Sequence, residues 1–213
     1  MSRVRIAKVV IFLAALVPLA LLGLRALHGD LGANPIETIT HATGDWTLRL
    51  IVSTLLVTPL RRITRQYWLI GVRRMVGLFA FFYGTLHFLT YIWLDKFFDW
   101  HEVWKDIAKR PFITLGFGAF VLLIPLAVTS TAGWIRRLGG RNWQRLHRLI
   151  YVAAILAVVH YWWLVKADLR KPEQYAVAVG ILLAYRVFVW ISERRKQVGN
   201  AATSQRPAEV PGD

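Results

Sequence analysis

The sequence predicts an all-α fold, a polytopic membrane protein built as a six-transmembrane-helix bundle. Three observations predict it. Of 213 residues, 56% are hydrophobic and only 18% charged, against roughly 25% charged in soluble domains. The apolar residues come in long blocks. The Lys and Arg residues gather in alternate connections between those blocks.

A bilayer core needs about 20 mostly apolar residues per helix. The blocks 8–27, 46–60, 73–94, 112–132, 147–165 and 174–192 are the candidate spans. Arg3, Arg5 and Lys8 ahead of the first block also suit a signal peptide. The apolar run continues to Leu27 with no clear small-residue cleavage site, so a retained span is the better reading. Block 46–60 is short. The segment 95–111, with Trp100, Trp104 and amphipathic charge spacing, suits a short interfacial helix.

Arg61, Arg62, Arg65, Arg73 and Arg74 precede or open the third span. Arg136, Arg137, Arg141, Arg145 and Arg148 separate the fourth from the fifth, and Arg194, Arg195 and Lys196 follow the sixth. With the basic N-terminus, all lie on one side of a six-span chain. The acids Asp30, Glu37, Asp45, Asp95, Asp99, Glu102, Asp106, Asp168 and Glu173 lie on the other. This positive-inside pattern puts both termini in the cytoplasm. The net charge of +15 is then topology and contact with membrane lipid, and no nucleic acid is expected. Residues 1–195 form the membrane domain, and 196–213 read as a disordered, polar cytoplasmic tail. Cysteine is absent, so a metal must rely on other ligands.

Ionisable groups inside spans are costly and usually functional. His87 lies 14 residues beyond Arg73, about 21 Å along a helix, and His160 lies 13 residues beyond His147, about 20 Å. Two helices running the same way place one imidazole each at similar depth. That is the axial arrangement of a six-coordinate b-type haem. Gly84, Ala80 and Gly77 share a helical face with His87, and Ala157 and Ala153 share one with His160. Small residues there leave room for a macrocycle; plain helix packing, which also prefers Gly and Ala, is the lesser alternative, and another metal or a proton path is a third. His147 sits at the cytoplasmic entrance among basic residues. A second haem there would need a partner near position 73, which is an arginine. Guanidinium binds anions, not iron, so Arg73 and His147 suit a phosphate-bearing flavin better. A 13-residue step turns His147 off the face of His160, so it precedes the regular helix or follows a wide turn. His101, His28 and His41 are expected in outer loops.

Gly29-Asp30-Leu31-Gly32-Ala33-Asn34-Pro35, Thr58-Pro59-Leu60-Arg61-Arg62, Arg73-Arg74-Met75-Val76-Gly77-Leu78 and Trp143-Gln144-Arg145-Leu146-His147-Arg148 through His160 resemble the MsrQ family, formerly YedZ, over residues 5–195. The sequence is more distantly similar to the ferric reductase-like transmembrane domain. The resemblance implies the haem-binding subunit of a methionine sulfoxide reductase system in the bacterial inner membrane. Electrons would come from a cytoplasmic flavin reductase through FMN to haem b. They would leave for the periplasmic molybdopterin-containing subunit MsrP, which repairs oxidised protein methionine. The outer Trp100, Trp104, Trp162 and Trp163 would dock that partner. His87 and His160 would hold haem iron, with His147, Arg73 and Arg74 at the inner site and Gly77 and Gly84 beside the cofactors. One haem or two is left open; only one axial pair assembles at one depth, which favours one haem with FMN. On this reading the chain is a redox subunit, and sulfoxide reduction takes place on MsrP. The alternatives are a transmembrane reductase of another acceptor such as ferric iron, or a small transporter with no redox role.

Overall fold

The computed structural model describes residues 3–165 and 168–204. Eight α-helices account for most of them: α1 (Arg3–Leu27), α2 (Pro35–Thr64), α3 (Leu69–Thr90), α4 (Trp100–Lys109), α5 (Pro111–Val128), α6 (Ala132–Leu146), α7 (Leu149–Leu164) and α8 (Arg170–Ser204). A π-helical turn, Tyr91–Asp95, extends α3.

Local signals fix where these helices begin. Pro35 occupies the first turn of α2, and the Asn34 side-chain oxygen accepts from the Glu37 N–H at 3.3 Å. The Asn34 amide donates back to the Glu37 carboxylate at 3.0 Å, a reciprocal cap. Asp99 caps α4 through the Glu102 N–H, Thr131 caps α6 through the Trp134 N–H, and Pro111 opens α5. The early start of α2 corrects one expectation: His41 lies on that helix, not in a loop. His101 is exposed on α4, and His28 follows α1 as expected.

Four helices are long and apolar enough to cross a membrane: Val4–Leu27, Leu69–Asp95, Pro111–Val128 and Arg170–Gln197. The pair α6 and α7, bent by 42°, makes a fifth if taken as one span. The expected count is six. The helix that falls short is α2, whose centre carries Asp45, Arg49 and several hydroxyls. Those groups are satisfied within the protein. Arg49 pairs with Asp45 at 2.6 Å, and the Tyr175 hydroxyl on α8 donates to Asp45 at 2.7 Å. Thr47, Ser53 and Thr54 donate to carbonyls four residues back. Large side chains such as Leu13 (58% exposed), Val177 (60%) and Phe188 (68%) point outward from α1 and α8, an apolar surface that a soluble protein would bury. The chain is a multi-pass membrane protein.

At the centre α2 packs along α3, and α5 along α7. Ile51, Leu55, Ala80, Tyr83, Ala153 and Ala154 are almost fully buried there. The Tyr83 hydroxyl donates to the Ala15 carbonyl at 2.8 Å and ties α1 to α3. α6 is broken at Gly139 (φ +72°), a conformation that glycine adopts without steric cost. α8 continues past position 195 to Ser204, so the expected tail begins as helix; residues 205–213 lie outside the described residues.

One end of the bundle is closed by α4. The Asp106 carboxylate accepts from Lys96 at 2.6 Å and from Arg110 at 3.2 Å, with the Tyr91 hydroxyl at 3.4 Å. Burial alone would raise this carboxyl, but the Lys96 hydrogen bond and the charges of Lys96 and Arg110 hold its pKa below the ordinary value. The clamp fixes α4 against the π-helical turn and sets the entry of α5.

Candidate functional site

His87 projects from α3 and His160 from α7, and their ring centres lie 6.2 Å apart with planes crossing at 74°. Each Nδ1 is engaged by a backbone carbonyl from a neighbouring helix. For His87 it is Thr40 on α2, at 2.9 Å; for His160 it is Phe112 on α5, at 2.6 Å. A carbonyl can only accept, so each Nδ1 carries the proton and each Nε2 is the free, basic nitrogen. Among the described residues neither Nε2 has a hydrogen-bond partner. Carbonyls bound to the far nitrogen in this way fix the tautomer and orientation of metal-binding histidines.

The two rings line one cavity of about 800 Å³ between α2, α3, α5 and α7. Two glycines make room for the rings. A Cβ on Gly116 would lie 2.8 Å from His160 Nδ1, and one on Gly44 would lie 3.0 Å from His87 Nδ1. Phe88, Phe117 and Phe120 wall the cavity from one side, with ring centres 5.7 and 4.8 Å from Phe88. The cavity is also lined by His41, Arg110 and Lys171.

The donor set decides what such a site fits. Among the described residues no group of three or more His, Asp or Glu forms a metal cage. Two imidazoles suit a metal whose remaining positions are filled by another molecule. An imidazole nitrogen binds a transition metal at about 2 Å, and the ring centre lies about 1 Å farther on. Rings on opposite sides of one metal therefore have centres roughly 6 Å apart. The observed separation fits that spacing, and the cavity supplies room for a macrocycle.

The other expected residues separate into three groups. Gly84 lines the cavity together with Ala157. Gly77 does not: a Cβ there would meet Thr54 at 3.7 Å, so this glycine serves the packing of α3 on α2. Ala80 and Ala153 are buried in the same packing layer. The third group lies at the opposite end of the bundle. His147 occupies the bend between α6 and α7, which accounts for its being off the face of His160. Its ring stacks on Trp143 at 3.9 Å, and its Nδ1 donates to the Trp143 carbonyl at 3.1 Å. Its Nε2 is buried without a partner. Arg73 is half-buried and within electrostatic reach of His147, Arg61 and Arg186, whereas Arg74 is exposed.

Three contributors escape the sequence reading. Gly44 and Gly116 carry no local signal, because their role depends on which helix faces which. Arg186 did carry one: it is a lone cation inside the apolar run of α8.

Residues 43–158 match the family described as the ferric reductase like transmembrane component. Similar chains include one from Herminiimonas arsenicoxydans, 55% identical across 92% of this chain and 91% of the relative. Another, from Ralstonia nicotianae, is 50% identical across 95% and 94%. A third, from Rhodospirillum rubrum, is 51% identical across 91% and 93%. Each of these relatives is named protein-methionine-sulfoxide reductase heme-binding subunit MsrQ.

Proposed function

This chain belongs to the ferric reductase-like transmembrane family and, within it, to the MsrQ subunits; from that membership we propose that it is the haem-bearing electron-transfer subunit of a methionine sulfoxide reductase system. The observation that carries the proposal is the pair of imidazoles with ring centres 6.2 Å apart, each bound through Nδ1 to a backbone carbonyl and with no hydrogen-bond partner at Nε2 among the described residues.

His87 and His160 would hold the iron of one haem b. When bound, that group would supply one-electron chemistry. The protein does the rest. The Thr40 and Phe112 carbonyls hold the two Nδ1 protons in place, which fixes the tautomer and ring orientation that leave each Nε2 available. Gly44 and Gly116 let α2 and α5 close on the rings. The phenylalanine wall of Phe88, Phe117 and Phe120 supplies an apolar surface on one part of the cavity, which lowers the polarity around the redox centre.

The topology follows from charge. Six crossings, in which α2 spans the membrane with its Asp45–Arg49–Tyr175 network internally satisfied, put every arginine-rich connection on the cytoplasmic side of the inner membrane. Arg73 and His147 would hold an FMN there, and that group would supply the entry point for a flavin reductase's electrons. They leave toward MsrP at the opposite face, where Trp100 (56% exposed), Trp104 (59%) and Trp163 (56%) offer contact surface.

A visible spectrum of the purified protein tests this reading. A Soret band with sharp α and β bands on reduction is expected; a colourless preparation would overturn it and favour a transporter. For the inner site, Arg73→Ala is expected to weaken FMN binding about tenfold, the equivalent of one charge-assisted hydrogen bond, with haem content unchanged. Unaltered FMN affinity in that variant removes the inner-flavin assignment.

A further inference from the structure

Arg186 sits on α8, within the apolar run that qualifies that helix as a membrane span. Its Nη1 donates to the Tyr151 hydroxyl at 2.9 Å and its Nη2 to the Leu55 carbonyl at 3.0 Å. The guanidinium carbon lies 4.9 Å from the centre of the Tyr151 ring. Its Nε is buried with no partner. Guanidinium has five N–H donors, so these two bonds leave most of its capacity unused.

The charge is uncompensated as well. Arg73, on α3, is within electrostatic reach of Arg186 and Tyr151. Among the described residues no carboxylate pairs with either arginine. Glu193, one acid on the same helix, is held by Arg62 at 2.8 Å. His147, within reach of Arg73, adds a buried Nε2 with no partner. Both arginines are half-buried; two such cations repel each other, and holding them partly out of water without a counter-charge costs free energy. The arrangement becomes favourable when one anion with several oxygens lies between them.

We propose that Arg186, together with Arg73 and His147, forms a phosphate-binding site at the inner end of the bundle, with Arg186 holding the ligand by its unused N–H donors. The phosphate has two chemical sources, the terminal phosphate of a flavin mononucleotide and the headgroup of an anionic phospholipid. For the flavin source alone the inference rests on the inner-flavin reading.

The test uses the full-length protein with Arg186→Gln and Arg186→Lys, haem content serving as the check on folding. FMN and riboflavin affinities are measured side by side, since the two differ only in the phosphate. Wild type is expected to prefer FMN by about tenfold or more, on the scale of one charge-assisted hydrogen bond. Arg186→Gln is expected to erase that preference by weakening FMN and leaving riboflavin unchanged, and Arg186→Lys to fall between. If wild type binds no FMN, the inner-flavin reading fails by itself and the lipid arm decides. There, wild type in phosphatidylcholine bilayers gains thermal stability when phosphatidylglycerol is added, and Arg186→Gln does not. The proposal is overturned if Arg186→Gln weakens FMN and riboflavin equally, or changes neither, while phosphatidylglycerol has no selective effect on wild type. Should Arg186→Gln fail to fold, the same comparisons on Arg186→Lys decide.

Discussion

His87→Ala is expected to abolish the reduced α band altogether, and His160→Ala to do the same. The pair is a minimum set: each ring supplies one free nitrogen, and among the described residues no group of three or more potential ligands is present to take over. His41 lines the same cavity, but it lies on α2, a different helix from either ring. Both losses should appear as haem per protein and as the reduced visible spectrum, with the protein still inserted and monodisperse. A normal spectrum in either single variant refutes that ligand.

The glycine series is the second large effect, and its order is set by distance. Gly116→Ala places a Cβ 2.8 Å from His160 Nδ1, 2.9 Å from Cε1 and 3.1 Å from Cγ. Real Cβ atoms do not approach so closely, so the ring must rotate. Its bond to the Phe112 carbonyl, 2.6 Å long, must then lengthen or break. Gly44→Ala is tighter than ordinary contact but less so, at 3.0 Å from His87. Gly84→Ala meets Thr47 at 3.5 Å, which is ordinary van der Waals distance. Haem retention is therefore expected to fall steeply in Gly116→Ala, partly in Gly44→Ala and little in Gly84→Ala. Measuring bound haem per chain across the three checks the order; a Gly116→Ala protein that retains haem better than Gly84→Ala contradicts it.

These two sets of variants mark the boundary of what the residues alone reveal. The depth of each imidazole is legible because helical rise is constant, so counting from Arg73 and from His147 places His87 and His160 at one level. That α1 and α8 hold blocks apolar enough to span a membrane is legible as well, because apolar content needs no knowledge of neighbours. The azimuthal arrangement is not legible. Which glycine meets an imidazole depends on α2 crossing α3 and α5 crossing α7. Gly44 and Gly116 therefore look like any other glycine, while Gly77 shares a face with His87 and yet packs on Thr54. The length of α2 hides behind its polar N-terminal half, since Asp45 reads as an outer-side residue until Tyr175 of a distant helix satisfies it. His147 is a middle case. The mismatch of a 13-residue step announces a break, but only the bend of 42° between α6 and α7 shows its form.

The central claim is that two imidazoles share one iron. Low-temperature electron paramagnetic resonance of the oxidised protein tests it most directly, because the signal reports both the number of strong axial ligands and their relative orientation. With ring planes at 74°, a low-spin ferric signal of the strongly anisotropic kind given by near-perpendicular imidazoles is expected. A high-spin ferric signal, which requires an open or weakly held axial position, would contradict it.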